Sequence, residues 1–535
     1  MKPIFSKVLF GLGLFWLGLA PSSTAQSDPA AAINFPNSGL AAAQKDFREG
    51  VFLLHSFEYN DARDAFWKAQ KADPGFALAY WGEAMTHNQP IWFTQDRDKA
   101  RSALAHLAPT AAERRRKAPT PREKAYLDAV EILFGDGDKL TRDRAYADAM
   151  QRLSEQFPND VEAASLYALA ILGTSHGGRD FTIYMRAAAI LEKLLAQSPR
   201  HPGVLHYLMH CYDEPQHARL GLAAARLYAQ VAPAAPHVQH MPSHIFLALG
   251  MWNEVASSNE AAWRASDLRM KRKGLAIELR DYHSLWWLQY AYLQMGRYAE
   301  ARKTLALIEG ISARNDSPRV RWHLALMRAA QIIETREWMI AATVQVPPAG
   351  LGRIAAANDL FASAFAALKL GNVAGVETIF SDGGGPAPSS GGEHGQHERG
   401  DEAIVDAIEK ELKAAVRLAK GDAAGAVALM KEATGIEIQM SSEFGPPMPV
   451  KPSNELFGEV LLELKRPAEA RKQFELSLTR MPKRALSLLG LARSADRSGD
   501  HASAVKAYRE LLEIWKRADP GLPELAEARK AVARP

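Results

Sequence analysis

GVFLLHSFEYNDARDAFWKAQKADP, residues 50–74, is the stretch that decides the fold. Small residues stand at Gly50, Ala62 and Ala69, an aromatic ring at Phe66 and a helix stop at Pro74. Small side chains let two antiparallel helices approach closely, a ring between them fills the gap, and proline ends the second helix. Working outward, stops of the same kind recur at Phe157-Pro158-Asn159-Asp160, Pro199, Pro233 and Asp267. Pro199 and Pro233 are 34 residues apart, and so are Pro233 and Asp267. Gly296-Arg297-Tyr298-Ala299-Glu300-Ala301 reads as another turn between helices. Ala470, Phe474 and Pro482 make one more unit, and Ala504 with Tyr508 the next.

This pattern resembles the tetratricopeptide repeat, and the resemblance runs from about Ala41 to Asp519. It implies an all-α solenoid of antiparallel helix pairs, wound into a superhelix with a concave groove. Such scaffolds mainly bind other molecules, so the resemblance implies a protein or peptide in the groove and names no chemistry. The organisation expected is a leader over 1–25, a linker over 26–40 and an N-terminal repeat array over 41–310. An irregular helical segment (311–380) follows, then a flexible loop (381–400), a C-terminal array (401–520) and a tail (521–535). The loop reads SDGGGPAPSSGGEHGQHERG, and its His394 and His397 are weak metal ligands at most. Residues 88–122 and 174–181 read as insertions. No stretch reads as a clear strand.

The chain has 535 residues and a formal charge of +4, with hydrophobic residues at 47% and charged residues at 24%. That is a soluble globular composition, and so even a charge balance argues against nucleic acid as a partner. The basic runs Arg114-Arg115-Arg116-Lys117 and Lys271-Arg272-Lys273 read as solvated helix ends. At the start, Lys2 and Lys7 precede an apolar run from Val8 to Ala20 that is too short to span a bilayer. Pro21 and Ser23-Thr24-Ala25 follow, which reads as a secretory leader cleaved after Ala25. The layout resembles bacterial Sec signals, so a periplasmic or secreted location is expected. No later stretch is apolar enough to anchor the mature chain.

The signatures of common catalytic families are missing: there is no G-x-S-x-G, H-E-x-x-H, C-x-x-C or P-loop. The single cysteine, Cys211, lies on an apolar helical face and reads as core.

Histidine is the exception. Seven of the chain's 16 histidines lie between His201 and His244. His206 and His210 are four residues apart, as are His240 and His244, and each member of the first pair is 34 residues from its counterpart. Positions i and i+4 share a helix face. Equivalent helices of consecutive repeats lie about 10 Å apart. The two pairs are therefore expected as a two-by-two cluster, at positions that in tetratricopeptide repeats resemble those lining the groove. Asp213 extends one stripe and His237 the other. Imidazole clusters suit Zn, Cu, Ni or Fe, because a neutral ring offers one borderline lone pair.

Glu214, Gln239 and Ser243 are candidates to orient the rings. His176 and His87 sit in loops that could converge on the cluster, and Tyr282-His283 with Trp286 could wall it, Trp286 and Trp287 being first of all core. Three functions are open to such a chain. It can hold a transition metal or small ligand, it can bind a peptide without metal, or it can catalyse a reaction at an open coordination position with Asp213 or Glu83 as base.

Overall fold

The computed structural model describes residues 29–341, 344, 347, 348, 350–381, 398–440 and 445–533. The leader and residues 382–397, with His394 and His397, lie outside them. Within them the chain is an all-α solenoid of packed helix pairs.

The repeat signature does its packing job in the first pair, Ala41–His55 and Tyr59–Ala72. The ring of Phe66 is wedged between Gly50 and Gly82, and a Cβ at either glycine would overlap it. The same wedge recurs near the other end, where Phe474 sits between Gly458 and Gly490. Local signals set the helix ends. Asp160 accepts the Ala163 N–H (3.2 Å), and Thr110/Glu113 and Thr120/Glu123 form reciprocal capping boxes. Proline opens the helices Pro202–Tyr212, Pro236–His240, Pro318–Thr335 and Pro467–Arg480, where its missing N–H costs nothing.

Three expectations change. Part of the supposed linker is packed: Phe35 is buried against Phe47, Trp81 and Tyr126, with the Arg122 guanidinium over its ring. The supposed tail carries the helix Pro523–Val532, whose Leu525 and Ala528 are buried. The 88–122 insertion contains a two-residue antiparallel ladder, Asn88–Gln89 against Thr94–Gln95.

The C-terminal array folds back onto the N-terminal one. The Trp252 indole donates to the Lys483 carbonyl (2.9 Å), Ala485 N–H to Gln294 Oε1 (2.9 Å) and the Trp515 indole to the Gln294 carbonyl (2.9 Å). Beneath them Arg484, fully buried, is shared by Glu455 (2.7 Å), Glu334 (2.6 Å) and the Tyr290 hydroxyl (2.7 Å). No described helix is long and apolar enough to cross a membrane.

Candidate metal centre

The histidine cluster is built by four neighbouring helices. Pro202–Tyr212 carries His206 and His210, Pro236–His240 carries His237 and His240, Pro242–Ala248 carries His244, and Tyr282–Gln294 carries His283. Pro242 lacks an N–H, so the helix holding His240 and His244 is interrupted at Met241. The four expected imidazoles do come together: ring centroids are 4.9 Å apart for His206 and His210, 5.0 Å for His240 and His244, and 5.6 Å for His210 and His244.

They do not line an open groove. His206, His210, His240 and His244 are 0%, 1%, 1% and 3% exposed. The superhelix closes over them with aromatic rings. Phe57, held in a left-handed turn conformation (φ 56°) just after the first helix, lies 4.3 Å from His206. Tyr228 stacks on His206 (5.3 Å), and Trp287 stacks on His244 (4.7 Å) and meets His240 edge-on (4.8 Å).

The protons on the rings follow from their partners. His206 Nδ1 lies 2.7 Å from the His55 carbonyl, which only accepts, so Nδ1 carries the proton and Nε2 the lone pair. His210 and His244 both direct Nδ1 at the same oxygen, Oδ2 of Asp213, at 3.1 and 3.2 Å. His240 Nδ1 meets Asn259 Oδ1 at 2.7 Å, and Asn259 spends its amide on the Val255 carbonyl (2.8 Å). All four rings therefore present Nε2 as a lone pair. His240 Nε2 and His244 Nε2 face each other at 3.1 Å, and His237 Nε2 lies 3.2 Å from His206 Nε2.

Burial favours the neutral form of His206, His237, His240, His244 and His283. It is the main cause that pushes His206, His237 and His283 well below the usual imidazole range, lowers His240, and brings His244 down to about 3. Asp213 stays ionised far below the ordinary carboxylate range. Burial opposes this, but Arg179, in direct ion contact, and the two imidazole N–H groups outweigh it. Glu58, which accepts the His237 backbone N–H (3.1 Å), is pushed up to about 7 by burial.

Two sets of three imidazoles bring their nitrogens within 4.8 Å of one another: His206, His210 and His237, and His240, His244 and His283. A third set, His55, Glu162 and His201, is complete without an ion. Its Glu162 accepts from His55 Nε2 (2.7 Å) and His201 Nε2 (3.1 Å), His55 Nδ1 takes the Tyr207 hydroxyl (2.8 Å), and His201 Nδ1 takes the Val204 N–H (3.2 Å).

Several sequence candidates lie elsewhere. His176 Nε2 is bonded to Asp143 (2.7 Å) and its ring packs on Phe93, because the 174–181 insertion carries it to that carboxylate instead. Asp213, by contrast, stays in the cluster: it forms a further set within 4.8 Å with His210 and His244 and accepts the Nδ1–H of both. Glu214 binds His217, and Gln239 caps the Ala229 carbonyl (2.7 Å). Among described residues the buried Ser243 hydroxyl has no hydrogen-bond partner. Glu83 accepts from Gln70 (2.6 Å), His87 joins none of the histidine sets, and Cys211 is fully buried core. Asn259 and the His55 carbonyl are not legible in the sequence as parts of the site, and His283, read there as wall, stands among the rings that could be ligands.

No protein-family model and no curated protein matches the chain. Among solved structures it is similar to the Cut9–Hcn1 hetero-tetramer of the APC/C, at 10% identity over 92% of this chain and 76% of that one (TM-score 0.34). It is similar to the human IFIT1 dimer with m7Gppp-AAAA, at 13% identity over 86% and 95% (TM-score 0.35). It is also similar to the P58(IPK) TPR domain, at 12% identity over 92% and 98% (TM-score 0.21).

Proposed function

We propose that this chain is an exported tetratricopeptide scaffold that holds a transition metal, of the Zn, Cu, Ni or Fe group, in the buried histidine cluster between its repeats. One observation carries the reading: the facing Nε2 atoms of His240 and His244, 3.1 Å apart, while both Nδ1 atoms are committed as donors to Asn259 and Asp213. Two neutral rings so held repel through their lone pairs. A cation between them removes the conflict, and a proton is a poor one here because burial drives His244 down to about 3. The His55–Glu162–His201 set is the internal control, since the same bookkeeping there leaves nothing for an ion to do.

The spacing fits as well. Tetrahedral Zn–N bonds of about 2.0–2.1 Å place ligand nitrogens roughly 3.3 Å apart. The carboxylate, amide and carbonyl behind the rings are the outer partners such ligands ordinarily use. The leader-like first 25 residues support an exported setting.

The test is elemental mass spectrometry on untagged protein, beside a variant carrying His240→Ala and His244→Ala. Bound Zn, Cu, Ni or Fe in the parent, reduced in the variant with helicity kept, is the result expected. No metal after reconstitution, or the same content in both, overturns the reading and leaves a metal-free binding scaffold.

A further inference from the structure

The spacing of the six histidines goes further than one ion. Each of the two sets brings three nitrogens within 4.8 Å, and each contains one pair already near the separation of two ligands on a common tetrahedral ion: His206–His237 at 3.2 Å and His240–His244 at 3.1 Å. The sets share no imidazole, so filling one does not use up the other. They are also adjacent. His237 and His240 have ring centroids 6.1 Å apart, and His210 and His244 are 5.6 Å apart. One oxygen of Asp213 holds an Nδ1–H from each set.

We infer that the cluster is a paired centre for two transition-metal ions, one held by His206, His210 and His237 and the other by His240, His244 and His283, with Asp213 as their common support. This rests on the metal-binding reading above. Three protein nitrogens do not complete a four-coordinate ion, so each ion keeps one position for water, hydroxide or another small ligand. The two sets also differ from the sequence pattern in the same way. Each couples an i, i+4 pair, continuous on one helix for His206 and His210 and split by the break at Met241 for His240 and His244, to a third ring from the following repeat, His237 for the first and His283 for the second. That arrangement is a repeat device: one ligand set for each junction between consecutive first helices.

The Asp213 link has a consequence. A carboxylate that accepts N–H from both sets raises the basicity of both, and loss of a second-shell partner typically costs 10–100-fold in affinity. Both ions should therefore weaken together when Asp213 is changed, whereas loss of a single ring should affect one.

Chelator-stripped full chain is titrated with Zn²⁺ alone, with stoichiometry read by elemental analysis after desalting and tetrahedral geometry read from Co²⁺ absorption. The variants are His237→Phe and His283→Phe, both at partly exposed positions, and Asp213→Asn. The parent is expected to take two ions and each single-histidine variant one, with helicity unchanged. Asp213→Asn is expected to weaken both ions by 10–100-fold. One ion in the parent, or two retained in His283→Phe, overturns the paired centre while leaving a single metal site standing. No ion in the parent overturns both readings.

Discussion

Which nitrogen of each ring carries a proton decides which lone pairs the cluster can offer a cation. Asn259 sets that choice for His240, because its amide is committed to Val255 and only its oxygen is left to face the ring. Asn259→Leu removes the acceptor and frees His240 to move its proton to Nε2, where it can bond His244. Metal affinity should fall 10–100-fold, measured by competition with a chromophoric chelator. A second residue-scale prediction concerns His323, buried beside Trp322 and donating Nδ1–H to the Arg319 carbonyl (2.7 Å). Burial, the largest cause, lowers it to about 4, against an ordinary 6.5. The folded ring thus stays neutral down to about pH 4, while the unfolded ring takes a proton near 6.5. Its contribution to stability is whole above pH 6.5 and is lost as pH falls through that window, by about 3 kcal/mol. In His323→Gln, urea melts between pH 7 and 4 should lose about that much less, and an unchanged slope would contradict it.

The legible and the hidden parts of the site separate at this scale. His206, His210, His240 and His244 could be read because two local rules, four residues within a helix and 34 between repeats, place them together. His237 could be read as an extension of the stripe. Asn259 could not, and His283 could be read only as wall, because their approach depends on how the solenoid winds. His55 contributes a backbone carbonyl, which leaves no trace in side-chain pattern. His176 was misplaced because a loop insertion does not follow the repeat geometry, and a nearby carboxylate, Asp143, captured it.

Helices are the level at which the sequence was most informative. The stops, and Gly50 with Phe66, declare themselves locally. The interruption at Met241 hid inside a regular 34-residue spacing even though Pro242 marked it. The Pro523–Val532 helix was missed although it opens on a proline and repeats apolar residues at Leu525 and Ala528. One helix end bears directly on the site. Asp281 caps Tyr282–Gln294, the helix of His283 and Trp287, by accepting the Ser284 N–H (3.1 Å) and binding its hydroxyl. Asp281→Ala should cost about 1 kcal/mol, seen as a lower urea midpoint with unchanged slope.

For the whole molecule, sequence reading supplied the repeats and not their closure. The groove that the repeat pattern implied is filled by the chain's own rings, Phe57 and Trp287, and the second array is fastened to the first through Arg484. That fastening depends on residues far apart in the chain and on polar groups that carry no periodic signal. Arg484→Met leaves Glu334 buried without its cation and Glu455 with Lys451 alone (3.1 Å). Breaking such a pair typically costs about 3–5 kcal/mol. The expected outcome is a lower denaturation midpoint, with protease cleavage between the arrays at denaturant concentrations that leave the parent intact. A variant as stable as the parent would mean that the buried charges do not hold the arrays together.

The central claim is that lone pairs facing each other inside the repeats are there for a metal. The most direct measurement is a crystal of the protein loaded with Zn²⁺, with anomalous difference maps collected on both sides of the zinc edge. An edge-specific peak is expected at about 2.0–2.1 Å from both His240 Nε2 and His244 Nε2. A map with no such peak there, and the two rings still nitrogen to nitrogen, would contradict it.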